Sequence, residues 1–288
     1  MKFKFKLPKL KLPKLKRSKK PPRDSKGIKG SLKTRLAAFF ILMAIIPLVV
    51  MGTVVTNITR NSVSTEIQDK ASIIVNNLDD NIDLFIEQNK NLVAFLATTT
   101  TVRTMEEQQI SPFLYDMFQQ NPQILRIYVA GIEDHSVFAV PFVSFPDNYN
   151  LENEKWYTGA IGAKGAFISD VQVDTMSGNS VVSISDVILS DSGEPMGVVC
   201  ADVSLVNLTR IVMNMKVGEE GFAFVTDKDG NVIAHKEYYI VKARENYNKY
   251  DFVNSALNAE KGFTTYKDKD GREQFVAYGQ YNRLGWGI

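Results

Sequence analysis

A polar loop that ends in two adjacent aromatics, and two lone carboxylates set among valines, are the residues with chemistry to offer. The loop reads Asp147-Asn148-Tyr149-Asn150-Leu151-Glu152-Asn153-Glu154-Lys155-Trp156-Tyr157. Asp174 and Asp202 each lie in or beside a Val-rich segment. A carboxylate among apolar strands is costly unless it meets a cation or hydrogen-bond donors. Ring faces supply cation–π contact and acids supply charge, and the two together suit a small cationic ligand. The plainer assignment puts Trp156 in a core and both Asp residues at strand ends. Composition leaves the two assignments level.

Catalytic alternatives find little support. His135 and His235 are the two histidines and lie 100 residues apart, too few for a histidine metal site. Cys200 is the single cysteine, which excludes an intramolecular disulfide framework and a cysteine-rich zinc module. Its context, Val198-Val199-Cys200-Ala201, is that of a small core residue. There is no phosphate-cradling Gly-rich loop and no G-x-S-x-G. Asp227-Lys228-Asp229-Gly230 and Asp268-Lys269-Asp270-Gly271 lack the further acidic positions of a calcium loop and read as hairpin turns. The expectation is a binding protein with no catalytic residue, metal or cofactor.

The elements that must position these groups begin with a charge asymmetry. Apolar residues make up 44% of the 288 and aromatics 10%, enough for a folded core. Residues 1–35 hold 15 of the 34 Lys/Arg and one of the 32 Asp/Glu, so that tail carries +14 and the remainder −12. A basic tail on an acidic body argues against a nucleic-acid protein. Leu36–Val55 has no charge and is ~30 Å long as a helix, the hydrocarbon thickness of a bilayer. A transmembrane helix is expected over 36–56. A cleaved secretory signal fits less well, since the apolar run and its basic leader are both too long. The tail before the span holds the bases, so the positive-inside rule places residues 1–35 in the cytoplasm and residue 57 onward outside; the tail suits the anionic inner membrane surface and a plain solvated segment equally.

Residues 57–100 have almost no Gly or Pro, and Ile67, Ala71, Ile74, Leu78, Ile82, Phe85, Leu92 and Leu96 recur at helical spacing. A helix of ~44 residues, ~65 Å, needs a partner along its length. That partner is the domain the helix carries, a second copy of the helix, or both; a homodimeric stalk is expected through Ile67, Ile74, Leu78, Ile82 and Phe85. A short helix is expected from Pro112 to Gln120. Strands are expected at Ile124–Ala130, Ala166–Val173, Ser180–Leu189 and Met196–Ser204, then a helix over Val206–Lys216. A second set, Gly221–Thr226, Asn231–His235, Phe263–Lys267 and Gln274–Tyr281, encloses a helix near Asp251–Glu260. The fold class is α+β: a long helix followed by two PAS-like antiparallel modules, at 101–215 and 216–288. The end at Trp286-Gly287-Ile288 falls in mid-strand, as in a fragment of a longer protein.

Several short runs carry a resemblance. Trp156-Tyr157, Ile168-Ser169-Asp170-Val171-Gln172-Val173-Asp174, Val181-Val182-Ser183-Ile184-Ser185 and Gly197-Val198-Val199-Cys200-Ala201-Asp202-Val203-Ser204-Leu205 resemble, in order and spacing, the double Cache sensor domain (dCache_1) of bacterial chemoreceptors and sensor kinases. Gly221-Phe222-Ala223-Phe224 and Gly230-Asn231-Val232-Ile233-Ala234-His235 resemble its membrane-proximal module. The likeness covers roughly residues 57–288. It implies a ligand in the membrane-distal module, 101–215, and a second span leading to an output domain.

Amino-acid-binding members carry a Tyr, an Arg before Trp-Tyr, a Tyr-x-Asp and a later Asp. Tyr149, Trp156, Tyr157, Asp174 and Asp202 match that pattern, whereas Glu154 stands at the Arg position and Gln172 at the second Tyr. The resemblance implies that the acids grip a ligand amine, while the carboxylate-gripping half is inverted in charge. The expected protein is a membrane-anchored sensor of an amine or amino-acid-like cation, of the methyl-accepting chemotaxis class. The alternatives are the sensor half of a histidine kinase or cyclic-dinucleotide enzyme, or a stand-alone membrane-anchored binding protein. If Arg126 or Lys155 replaces the missing base, an amino acid still binds.

Overall fold

The computed structural model describes residues 32–146, 148–163, 165–218, 220–268 and 270–288. The basic tail expected over 1–35 lies, except for its last four residues, outside them. The chain divides into two compact units, one ending at Asn61 and the other Ser62–Ile288. Helix α1, Leu32–Thr98, contributes to both.

In the first unit, Leu36–Thr59 is 24 uncharged helical residues, long and apolar enough to cross a bilayer. Its polar side chains turn back on their own helix: Thr53 Oγ1 donates to Val50 O at 2.9 Å and Thr56 Oγ1 to Gly52 O at 2.7 Å. Such back-bonding satisfies these two hydroxyls without water within an apolar span.

In the second unit, α1 buries Val75, Leu78, Ile82, Phe85, Ile86, Val93 and Leu96, steps of three, four and seven apart from the adjacent Phe85 and Ile86, which keep one face inward. This corrects the expected stalk stripe. Leu78, Ile82 and Phe85 belong to the core of their own chain, not to a surface left for a second copy. Among the described residues, the exposed large apolar side chains of α1 in this unit are Ile67, Ile73, Leu84 and Phe95. The helix stops at the threonine run as expected: Thr99 takes extended backbone angles and a short helix α2, Thr100–Arg103, follows.

Helix α3, Glu107–Gln120, starts five residues earlier than Pro112 implied, because Ile110 and Leu114, one turn apart, are both buried. Next come β1 (Ile124–Gly131), β2 (Val137–Val140), a 3₁₀ turn (Leu151–Asn153), α4 (Lys155–Gly162), β3 (Phe167–Ile168), β4 (Gln172–Val173), β5 (Ser180–Leu189) and β6 (Pro195–Ser204). They form one antiparallel sheet, ordered β2-β1-β6-β5-β3, with β4 also on β5. The single strand expected over Ala166–Val173 is split. Ser169 still donates its backbone N–H to Ser183 O at 2.8 Å, but its hydroxyl takes the place of its carbonyl in accepting the Ser183 N–H, and that hydroxyl donates to Asp170 O.

After α5 (Val206–Asn214) come β7 (Phe224–Thr226), β8 (Val232–His235), α6 (Tyr238–Ala243), α7 (Asp251–Leu257), β9 (Gly262–Lys267), β10 (Glu273–Tyr278), β11 (Gln280–Tyr281) and β12 (Trp286–Gly287). The second sheet is ordered β11-β12-β7-β8, and β9 and β10 pair as a separate hairpin. Both Asp-Gly segments are turns, with Gly230 and Gly271 at φ 78°. Asp227 and Asp268 spend a carboxylate oxygen on their own turns, each accepting two backbone N–H groups. The α+β architecture with two antiparallel sheets is as expected from the sequence. One apolar cluster joins Leu78 and Ile82 of α1, Ile184 and Val199 of the first sheet, and Val225, Ile233 and Trp286 of the second.

Candidate functional site

Strand alternation sends β1, β5 and β6 side chains to two faces. Ile127, Val129, Val182, Ile184, Val199 and Ala201 face the core with α1. The other face presents Arg126, Tyr128, Ser183, Ser185, Cys200 and Asp202. Register aligns them in two rows: Arg126 opposite Asp202 opposite Ser183, and Tyr128 opposite Cys200 opposite Ser185. Directly opposed side chains in an antiparallel pair are within reach of each other.

Asp202 is the centre of the first row. It is buried, and it accepts from Ser183 Oγ at 2.6 Å on Oδ1 and from Tyr128 Oη at 2.8 Å on Oδ2. Burial pushes its carboxyl above the ordinary Asp range, against the Ser183 and Tyr128 hydrogen bonds and the Arg126 charge. Asp174 reaches the same place from the turn after β4. Its Oδ2 accepts the Ser177 N–H at 2.6 Å and its Oδ1 faces Arg126 Nη1 at 3.4 Å. Burial would raise it, but the Ser177 hydrogen bonds and Arg126 hold it below its usual value. Arg126 Nη1 also donates to Tyr128 Oη at 2.9 Å and lies 3.9 Å from Asp202 Oδ2.

Helix α4 closes one side. Ser185 Oγ donates to Trp156 O at 2.6 Å, which ties the helix to β5. Trp156 stacks on Tyr128, centroids 5.6 Å apart and planes 21° apart. Tyr128 meets Phe145, and Phe145 meets Tyr149 at 4.7 Å, so four rings run continuously beside the acids. Glu154, just before α4, is half-buried. Burial and the Asp202 charge raise its carboxyl. Burial and Glu154 in turn push Tyr149 up to about 12.

Of the residues singled out in sequence, Tyr149, Trp156, Asp174 and Asp202 thus share one neighbourhood. Tyr157 packs in the same apolar cluster, edge-on to Trp156 at 5.8 Å, but turns its hydroxyl away from the acids. It is buried behind Trp156, and its hydroxyl donates to Gly131 O at 3.4 Å. That carbonyl is five residues along β1 from Arg126, about 17 Å. Lys155 points to Asp170 at 3.7 Å, and Gln172 is exposed. The sequence reading weighed Arg126 only as a substitute base and passed over Tyr128, Ser183 and Phe145. An Arg-x-Tyr pair on one strand carries a signal, but only once the register with β6 is known. Phe145 lies in a loop and carried none.

Residues 55–288 match the dCache_1 Cache domain. The chain is 23% identical over 262 residues to the methyl-accepting chemotaxis protein McpA of Bacillus subtilis, covering 90% of this chain and 38% of McpA. It therefore spans well under half the length of that relative. The ligand-binding domain of the Campylobacter jejuni chemoreceptor Tlp3, solved with L-valine, superposes with a TM-score of 0.63 at 16% identity over 80% of this chain and 94% of that one. The ligand-binding domain of the Pseudomonas aeruginosa amino-acid chemoreceptor PctC, solved with GABA, gives 0.60 at 21% identity over 76% and 96%. A match across most of the chain, with its two antiparallel sheets behind one long helix, makes this protein a member of the dCache_1 family of Cache sensor domains.

Proposed function

We propose that this chain is the extracytoplasmic, ligand-sensing part of a methyl-accepting chemotaxis receptor, and that its module 101–215 takes a small amine in preference to an α-amino acid. A sensor domain of this family is not an enzyme. The observation that carries the reading is charge: the carboxyls of Asp174, Asp202 and Glu154 gather beside a wall of aromatic rings with one guanidinium among them. Excess negative charge beside ring faces is the environment of a cationic ligand. Tlp3 and PctC were solved with amino acids bound. Glu154, where the family pattern has Arg, sets this chain apart from that pattern.

Calorimetry on the full chain in nanodiscs tests the reading, with phenethylamine against phenylalanine and putrescine against ornithine. The amines are expected to bind, and Asp202→Asn to weaken them by about 1–3 kcal/mol through loss of a charge-assisted contact. Binding of the amino acids with none for their decarboxylated counterparts would overturn it.

The same proposal places residues 1–35 in the cytoplasm and Leu36–Thr59 across the membrane, from the bases that precede the span. With Cys200 replaced by Ala, Ser18→Cys is expected to resist impermeant thiol reagents in intact cells, and labelling would reverse the orientation. We also propose a homodimer. Of the exposed large apolar residues of α1 among the described residues of the second unit, Ile73, Leu84 and Phe95 lie eleven residues apart and so near one helix face, open to a second copy. Sedimentation of the full chain should find the dimer weakened by Leu84→Arg. A strict monomer at high concentration, with and without amine, excludes it.

A further inference from the structure

We propose that Arg126 is a built-in occupant of the ammonium subsite, and that its Nη1 marks the position a ligand nitrogen takes when it displaces that side chain. The inference rests on the amine reading and adds to it the residue against which the ligand competes. Three acceptors converge on this one nitrogen: Tyr128 Oη at 2.9 Å, Asp174 Oδ1 at 3.4 Å and Asp202 Oδ2 at 3.9 Å. An ammonium has three donors on a single atom and fits three convergent acceptors. A guanidinium grips carboxylates best through two parallel N–H groups. Arg126 makes no such fork here. Nη1 alone meets both carboxylates, at long distances, and Nη2 lies on Met176 Sδ at 2.9 Å.

The arrangement answers a need of the carboxylates themselves. Asp174 and Asp202, with their side chains almost wholly buried, would repel each other and Glu154 without a counter-charge. A tethered guanidinium supplies it. Its way out is also present, since Met176, against which Nη2 rests, is 73% exposed. A ligand ammonium would take over the Asp pair while Arg126 turns toward solvent past that methionine. Displacement then sets the affinity, because each incoming amine must break the Arg126 contacts first.

Three variants of the full chain in nanodiscs test this by calorimetry with the same two matched pairs. Arg126→Met keeps most of the side-chain length without the charge, and is expected to bind phenethylamine or putrescine about tenfold tighter than wild type. Arg126→Gln carries the same expectation and keeps a hydrogen-bond donor for Tyr128. Arg126→Lys puts a tethered ammonium at the subsite and is expected to bind no tighter than wild type. Amine affinity that is unchanged or weaker in a folded Arg126→Met or Arg126→Gln overturns the displacement role while leaving the amine reading in place. So does failure of both neutral variants to fold, which would make Arg126 a structural counter-ion. Phenylalanine or ornithine bound by wild type and lost in Arg126→Met would make Arg126 a carboxylate anchor and overturn both.

Discussion

Ile82→Ala is expected to destabilise the Ser62–Ile288 unit by about 2–5 kcal/mol, the usual cost of truncating a fully buried aliphatic side chain to Ala. Ile82 is inaccessible to solvent and belongs to the cluster that joins α1 to both sheets. Truncation leaves a cavity between elements that are held from several sides, so collapse around it is restricted. Ile73, nine residues earlier on the same helix, is 58% exposed. At a protein concentration where the chain is monomeric, Ile73→Ala should therefore change stability by no more than about 0.5 kcal/mol. Chemical denaturation of both variants decides the matter. A small effect at Ile82 with a large one at Ile73 would mean that the helix turns its other face inward, and that Leu78, Ile82 and Phe85 serve a second chain.

That pair of residues also marks the limit of what the sequence could say. Helical spacing from Ile67 to Leu96 identified the helix, because a period of 3.6 is a property of one segment. It could not identify what covers the stripe, which depends on strands more than a hundred residues later. The long strands β5 and β6 are legible because their runs of Val and Ile are set off by the turn signals Ser177-Gly178-Asn179 and Asp191-Ser192-Gly193. The two-residue strands β3 and β4 and the short helix α6 had too few residues to establish any period. For the site, the acids stand out as charges among valines, and Trp156 stands out as one of two adjacent aromatics closing a polar loop. Arg126 and Tyr128 required register: they matter because β1 lies beside β6 with Arg126 opposite Asp202. Tyr157 matched the family pattern by position, yet its hydroxyl meets Gly131 O and not the carboxylates.

Replacing Glu154 by Arg should exchange the ligand class. The Glu154 side chain makes no capping hydrogen bond to α4, so its substitution leaves the helix start intact. Its carboxyl is near enough to Asp202 and Tyr149 to raise both its own proton affinity and that of the phenol. For a ligand carboxylate about 4 Å from that charge, repulsion at an effective dielectric near 20 is ~4 kcal/mol, close to a thousandfold in affinity. Reversing the sign removes this penalty and adds an attraction of the same order. Glu154→Arg is therefore expected to bind phenylalanine or ornithine while losing phenethylamine and putrescine, whose only charges are positive. The phenol supplies an independent readout. With Glu154 gone, the Tyr149 titration should fall below about 12, where burial and that carboxylate now hold it, and spectrophotometric titration against a Tyr149→Phe control isolates it. If Glu154→Arg shifts Tyr149 but leaves every affinity unchanged, Glu154 faces Tyr149 without facing the ligand, and the amine preference has no basis in this residue. If neither moves, the side chain is turned to solvent, and the charge count on which that preference rests is one carboxylate too high.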